Sequence, residues 1–227
     1  MRLETGEHTL RVVAEAYTLT TAADRPYVHL DDHAGRRIAD LFVPASAHTL
    51  EGRDDTVGVG AWQAEEAAGA ITLRLPMQSS LWDGKTAILT CRPNRLAFHL
   101  EVQGRGRLSE VCVFGGYYSG QIRWGSGFFE SGSRFLKGFS PEPTTEEAYE
   151  FAPESGAVID LTGVPVPGRD HWFFTPPPFC LAFETESGWL AFGVEAAPGA
   201  NRFTEYRYHG HQGAFHLSLA FDGQTRV

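Results

Sequence analysis

The sequence predicts an all-β fold, a large antiparallel β-sandwich formed by one domain over residues 1–227. Three observations carry that expectation. Apolar and polar residues alternate with period two between turn residues, as half-buried strands require. The 25 Gly and 13 Pro are spread along the whole chain, where Gly supplies positive φ and Pro a fixed φ for many turns. No amphipathic helical run exceeds two turns. At 42% hydrophobic and 12% aromatic, the 227 residues suffice for a sizeable core, and all-β chains of this length commonly form a single unit.

The elements follow in order. His8 to Thr20 reads as one strand, with Leu10, Val12, Ala14 and Ala16 on one face. Pro26 to Asp32 and Arg36 to Val43 read as a hairpin joined through Asp32-His33-Ala34-Gly35. Ala70 to Pro76 alternates clearly, and Asp83-Gly84 turns the chain into Thr86 to Cys91. Arg95 to Val102 sets Leu96, Phe98 and Leu100 opposite Arg95, Ala97, His99 and Glu101. Leu108 to Phe114 follows the Gly104-Arg105-Gly106 break. Between Gly115 and Pro153 the alternation weakens into a long aromatic, glycine-rich segment, and loops of that length are commonly functional. Thr144 to Glu147 resembles a capped helical turn. Ala157 to Leu161, the hairpin Phe179 to Thr185 with Gly188 to Glu195, and the strands Arg202 to His209 and Ala214 to Phe221 complete the series.

Charge and composition narrow the partners. A net charge of −9 without a basic stripe argues against nucleic acid. No stretch approaches the ~20 apolar residues that span a bilayer. Met1-Arg2-Leu3-Glu4-Thr5 has no apolar segment of a signal peptide, so the expected location is cytoplasmic. Cys91, Cys112 and Cys180 lie in apolar strand-like runs and read as free thiols behaving as small hydrophobes.

The chemistry-bearing residues point first to sugar. Flat aromatic faces stack on the C–H faces of a pyranose, while Asp, His and Arg hydrogen-bond its hydroxyls. Most aromatics of a sandwich are core, as Trp189 within its apolar hairpin is read to be. Tyr117, Tyr118, Trp124 and Trp172 differ, because they lie in glycine- or proline-rich segments. The run Arg169-Asp170-His171-Trp172-Phe173 joins a base, an acid, an imidazole and an indole. A glycosidase would need two carboxylates at a set separation, but nothing singles out a pair among Asp160, Asp170, Glu184, Glu186 and Glu195. His209-Gly210-His211 with His216 nearby offers two imidazoles to a metal. Gly210 and Gly213 also suit a turn there. No nucleophile elbow and no phosphate-binding glycine loop is present.

The stretch AFHLEVQG (Ala97 to Gly104) through LSEVCVFGG (Leu108 to Gly116) resembles the N-terminal β-supersandwich of multidomain α-glycosidases, the α-galactosidase-like glycoside hydrolases. The segment Phe179 to Glu195 with Phe203 to Phe221 resembles the end of that sandwich, just before a (β/α)8 barrel begins. The resemblance spans about residues 85–227, rests on strand and turn patterns, and involves no catalytic signature. It implies a galactose-mutarotase-like supersandwich fold. It also implies that catalytic carboxylates lie on the barrel, in cis or trans, rather than on this chain.

The expectation is therefore a non-catalytic, carbohydrate-facing sandwich that packs against or shapes the site of a glycoside hydrolase barrel. Tyr117, Tyr118, Trp124, Asp170, His171 and Trp172 are its candidate sugar contacts. No cofactor and no metal is expected, and a homo-oligomer is kept open. Two other classes stand beside it. Supersandwich folds also house mutarotases, which need a His acid and a Glu base, and His171 with Glu184 or Glu195 would fill those roles. A structural or assembly domain would bury an exposed aromatic patch against a partner.

Overall fold

The computed structural model describes residues 1–22, 26–123, 126–128, 135–139, 158–160, 171–175, 179–185, 188–194, 203–209, 214–221, 223 and 225–227. Side chains are described for 1–22, 26–121, 217–221, 223 and 225–227. Among these residues every regular element is a strand, and the strands pair almost wholly antiparallel. Among them, too, no helix is long and apolar enough to cross a membrane.

The larger sheet has eleven strands. It runs from β1 (Arg2–Thr5), β2 (Leu10–Val13) and β3 (Tyr17–Thr21) to β4 (Tyr27–Asp32) and β5 (Arg37–Phe42). It continues through β15 (Ser126–Phe128), β22 (Ala214–Ala220), β12 (Leu108–Val113) and β6 (Ser46–Thr49), with β21 (Phe203–His209) on β22 and β18 (His171–Thr175) on β21. The second sheet holds β7 (Thr56–Val59), β8 (Gln63–Ala67), β9 (Ala70–Ser79), β10 (Gly84–Arg92), β11 (Arg95–Gln103), β13 (Gly116–Tyr118) and β14 (Gln121–Arg123). A four-stranded sheet joins β16 (Phe135–Phe139), β17 (Val158–Asp160), β19 (Phe179–Thr185) and β20 (Gly188–Val194).

The two large sheets face one another across a single main core. Val12, Leu19, Val28, Leu30 and Leu41 of the first meet Ile71, Leu73, Leu75, Ala87, Leu89 and Cys91 of the second. The alternation in β9 causes this directly, since Ile71, Leu73, Leu75 and Met77 are buried and the residues between them are not. Each fully buried Leu contributes about 1.5–3 kcal/mol of apolar transfer. A smaller cluster of Ala47, Trp82 and Leu108 closes one end, with Trp82 Nε1 donating to the Ala47 carbonyl at 2.8 Å.

Three sequence readings are corrected. The single strand expected from His8 to Thr20 is two strands, because the chain reverses at Ala14-Glu15-Ala16. Ala14 N–H donates to the Tyr17 carbonyl at 2.9 Å, and Ala16 is exposed rather than on the core face. Nothing in that tripeptide is a turn former, so the alternation ran on through the bend. The segment from Gly115 to Pro153, expected to be irregular, instead holds the short strands β13, β14, β15 and β16. Ser119 (φ 51°) and Gly120 (φ 74°) make a two-residue turn with both φ positive, which matches the twist of the flanking strands. His171 and Trp172, expected in a loop, begin β18.

Candidate functional site

The register of the eleven-stranded sheet gathers polar side chains on the face turned away from the core. Asp40 pairs with Gly127, and Gly127 with Ala214. Ser218, four residues along β22, pairs with Cys112, and Cys112 with Ser46. Residues an even number apart along a strand share a face. Asp40, Phe42, Ser46, His48, Glu110, Cys112 and Ser218 therefore stand on one side, while Ala39, Leu41, Ala47, Val111 and Leu217 turn to the core side. From the Asp40 row to the Glu110 row is six residues of β22, about 20 Å at the usual strand rise.

One end of this face is a charged cluster on the β4–β5 hairpin. A register shift between Leu30 and Asp31 leaves Ile38 as the extra residue, so Arg37 comes opposite Asp31. Arg37 Nε donates to Asp31 Oδ1 at 2.6 Å and its NH1 group donates to Asp40 Oδ1 at 2.7 Å. His29 Nδ1 lies 2.5 Å from the same Asp40 oxygen. Burial works against the Arg37 charge, but the hydrogen bonds and charges of Asp31 and Asp40 outweigh it and hold the guanidinium above its usual pKa. The side chains of His29, Asp31 and Asp40 are 21–25% exposed and that of Arg37 38%. Water and a ligand can reach them.

At the other end, β6, β12 and β22 bring His48, Glu110, Cys112 and Ser218 together. His48 and Glu110 are cross-strand partners, as are Cys112 and Ser218. The Cys112 thiol donates to Glu110 Oε1 at 3.5 Å, and the Ser218 hydroxyl donates to the same oxygen. Asp54 N–H donates to His48 Nδ1 at 3.0 Å. Burial holds the His48 pKa below its usual value despite the nearby Glu110 carboxylate. The ring is thus neutral at pH 7, with its proton on Nε2.

The ligand atoms of His48, Glu110 and Cys112 lie within 4.8 Å of one another, a donor set of the kind zinc takes. The tautomer argues against that use. Asp54 N–H occupies the lone pair of Nδ1, and the neutral ring then keeps its proton on Nε2. Neither nitrogen is free to coordinate, so the cluster is a hydrogen-bonded one.

Between the two ends lie aromatic rings. Phe42 packs against Tyr27 and takes Tyr118 edge-on, with centroids 5.2 and 5.8 Å apart. Tyr117 N–H donates to Ser46 Oγ at 2.8 Å, and its ring meets His48 edge-on. The exposed Arg53 guanidinium sits 4.1 Å over the Tyr117 ring. Gly116, at φ 145°, lets β13 approach closely, since a Cβ there would come within 2.6 Å of Ser46 Oγ. Asp55 holds the hairpin tip by accepting from Gly120 N–H at 2.6 Å, and its Oδ1 is buried without a hydrogen-bond partner.

A buried ion pair fixes this end of the face from behind. Lys85 Nζ donates to Asp54 Oδ2 at 2.6 Å and to Thr56 Oγ1 at 2.8 Å. Asp54 also accepts from Ala47 N–H at 2.8 Å and from Ser79 Oγ at 2.6 Å. Burial pushes the Lys85 pKa down, and the Asp54 carboxylate opposes that shift. The Asp54 backbone that orients His48 is therefore itself anchored to both sheets.

No family model matches the sequence, and no curated protein does. The sequence-predicted contacts stand as follows. Tyr117 and Tyr118 are half-buried beside the polar face. Trp124 and Asp170 lie outside the described residues, as does the Thr144–Glu147 turn. His171 and Trp172 are described in backbone only, where Trp172 pairs with Arg207 and Arg207 with His216, two residues from Ser218. Sequence reading missed His29, Asp31, Arg37, Asp40, His48 and Glu110. The signal available for the first four was polar residues at alternate positions of strands whose other face is apolar. None marked His48, because all four residues of β6 are buried and show no alternation.

Proposed function

We propose that this chain is a non-catalytic, carbohydrate-facing sandwich domain, working beside a glycoside hydrolase barrel in cis or trans. The observation that carries this reading is the partly exposed charged end of the polar face, on the β4–β5 hairpin, with the half-buried Tyr117 and Tyr118 rings further along that face. Arg37, Asp31, Asp40 and His29 are locked to one another and partly exposed. Preset carboxylate and guanidinium groups can take up adjacent sugar hydroxyls without first being ordered, which lowers the entropic cost of binding. The α-galactosidase-like resemblance supports the same assignment and supplies the barrel.

Isothermal titration with mono- and oligosaccharides tests it. Saturable heat is expected with the protein, and weakening of about ten-fold or more in Arg37→Ala, equivalent to the loss of one charge-assisted hydrogen-bonding group. Absence of binding to every sugar tried would remove the reading. One observation favours a second reading, a sugar epimerase: His48 and Glu110 are cross-strand partners, a neutral N–H donor beside a carboxylate. It would appear as accelerated anomer interconversion that is lost in Glu110→Gln.

A further inference from the structure

Every strand of the second sheet except those at its rims is hydrogen-bonded on both sides, and the longest rim is β11. This strand pairs along its whole length with β10, from Arg92↔Arg95 to Gly84↔Gln103, and among the described residues nothing pairs with its other side. Free edges are usually blunted by shortness, by Pro or Lys, or by a bulge. The edges β1, β6 and β14 follow that rule with four, four and three residues. β11 does not. It has nine residues, reads RLAFHLEVQ without Pro or Lys, and keeps an unbroken register.

We propose that β11 pairs antiparallel with β11 of a second copy of this chain, about a two-fold axis at Phe98, joining two seven-stranded sheets into one. An isologous contact must be self-complementary, and this register is. With Phe98 opposite Phe98, Arg95 of one copy falls opposite Glu101 of the other, twice over, and Leu96 falls opposite Leu100. Arg95, His99 and Glu101 form the exposed row, so the charges meet on the solvent side. Leu96, Phe98 and Leu100 are partly buried against the core and extend it across the junction. The alternative with Phe98 opposite Leu100 sets Arg95 opposite Gln103 and Glu101 opposite Ala97. It loses both charge pairs. In either register residues of like parity meet, as antiparallel hydrogen bonding requires. The Arg74 contact to Glu101, at 3.5 Å and largely exposed, does not hold the carboxylate away from a new partner.

Charge reversal tests both the contact and its register. Molar mass is measured by light scattering over a concentration series for the native chain, Arg95→Glu, Glu101→Arg and the double variant. The native chain is expected to dimerise. Each single reversal sets like charges together twice and raises the dissociation constant roughly ten- to hundred-fold. The double variant restores opposite charges and returns the constant to near the native value. A native chain that stays monomeric at every concentration overturns the proposal. So does a dimer indifferent to the single reversals, or one that the double variant fails to restore. Unchanged circular dichroism in all four proteins separates lost association from lost folding.

Discussion

Two ionic clusters of the same chemistry sit in this fold and do opposite things. Lys85 and Asp54 have no exposed side-chain surface, and the Asp54 carboxylate ties the two sheets together, accepting from Ala47 of one and from Ser79 and Lys85 of the other. Arg37 with Asp31, Asp40 and His29 lies at the surface of the large sheet, a fifth to two-fifths exposed, and ties one hairpin to itself. Desolvation makes the difference. A buried charge deprived of its partner has no water to turn to, whereas a half-exposed one re-solvates cheaply. The first cluster is thus framework, and the second is free to exchange a neighbour for a ligand.

The sharpest way to break this contrast is to remove one charge from each. Lys85→Met leaves Asp54 buried and uncompensated, and should cost about 3–5 kcal/mol in urea unfolding. A loss under about 1 kcal/mol would mean that Asp54 is hydrated and that the node is no anchor.

A group that is buried and neutral sharpens the comparison next. Burial pushes the Cys91 thiol up to about 11 from 9.0. Tyr17, whose hydroxyl donates to the carbonyls of Arg92 and Arg95, is raised as well, first by burial and then by Cys91. Both pKa values are higher folded than unfolded, so the stability lent by the thiol is complete below pH 9 and drains as the pH rises to about 11, while that lent by the phenol begins to drain only above pH 10. Chemical denaturation between about pH 8.5 and 11 should show a fall of about 1.4 kcal/mol per unit for each group in its window. Cys91→Ala should remove the thiol's share of that slope.

The smallest effect is expected from Arg37→Ala. Its ion pairs are partly solvated, so stability should change by no more than about 1 kcal/mol by thermal or urea unfolding, while sugar affinity falls. A loss as large as that of Lys85→Met would make the hairpin cluster framework too.

Much of the fold was legible because its strands alternate cleanly. β9, β11, β19, β20, β21 and β22 lie within a few residues of the expected runs. What escaped was short or uniform. β6 is buried at every residue, β8 is exposed at every residue, and neither offers a period. The turn at Ala14 to Ala16 uses no turn former. The polar face was harder still, since it depends on registers between strands far apart in sequence. His48 meets Glu110 across 62 positions only because β6 pairs with β12. Aromatic residues in glycine-rich segments drew the expectation to Tyr117 and Tyr118, which do border this face. The charged residues of the β4–β5 hairpin were marked only by their alternation with apolar ones, a pattern that every half-buried strand shows.

The most direct test maps where a sugar touches the protein. In an amide-resolved NMR titration with a saturating oligosaccharide, the shifts should cluster at His29, Asp31, Arg37 and Asp40, and at Tyr117 and Tyr118 on the adjoining hairpin. Shifts confined to the opposite sheet, or none at any sugar concentration, would contradict a ligand-facing role for the polar side of the large sheet.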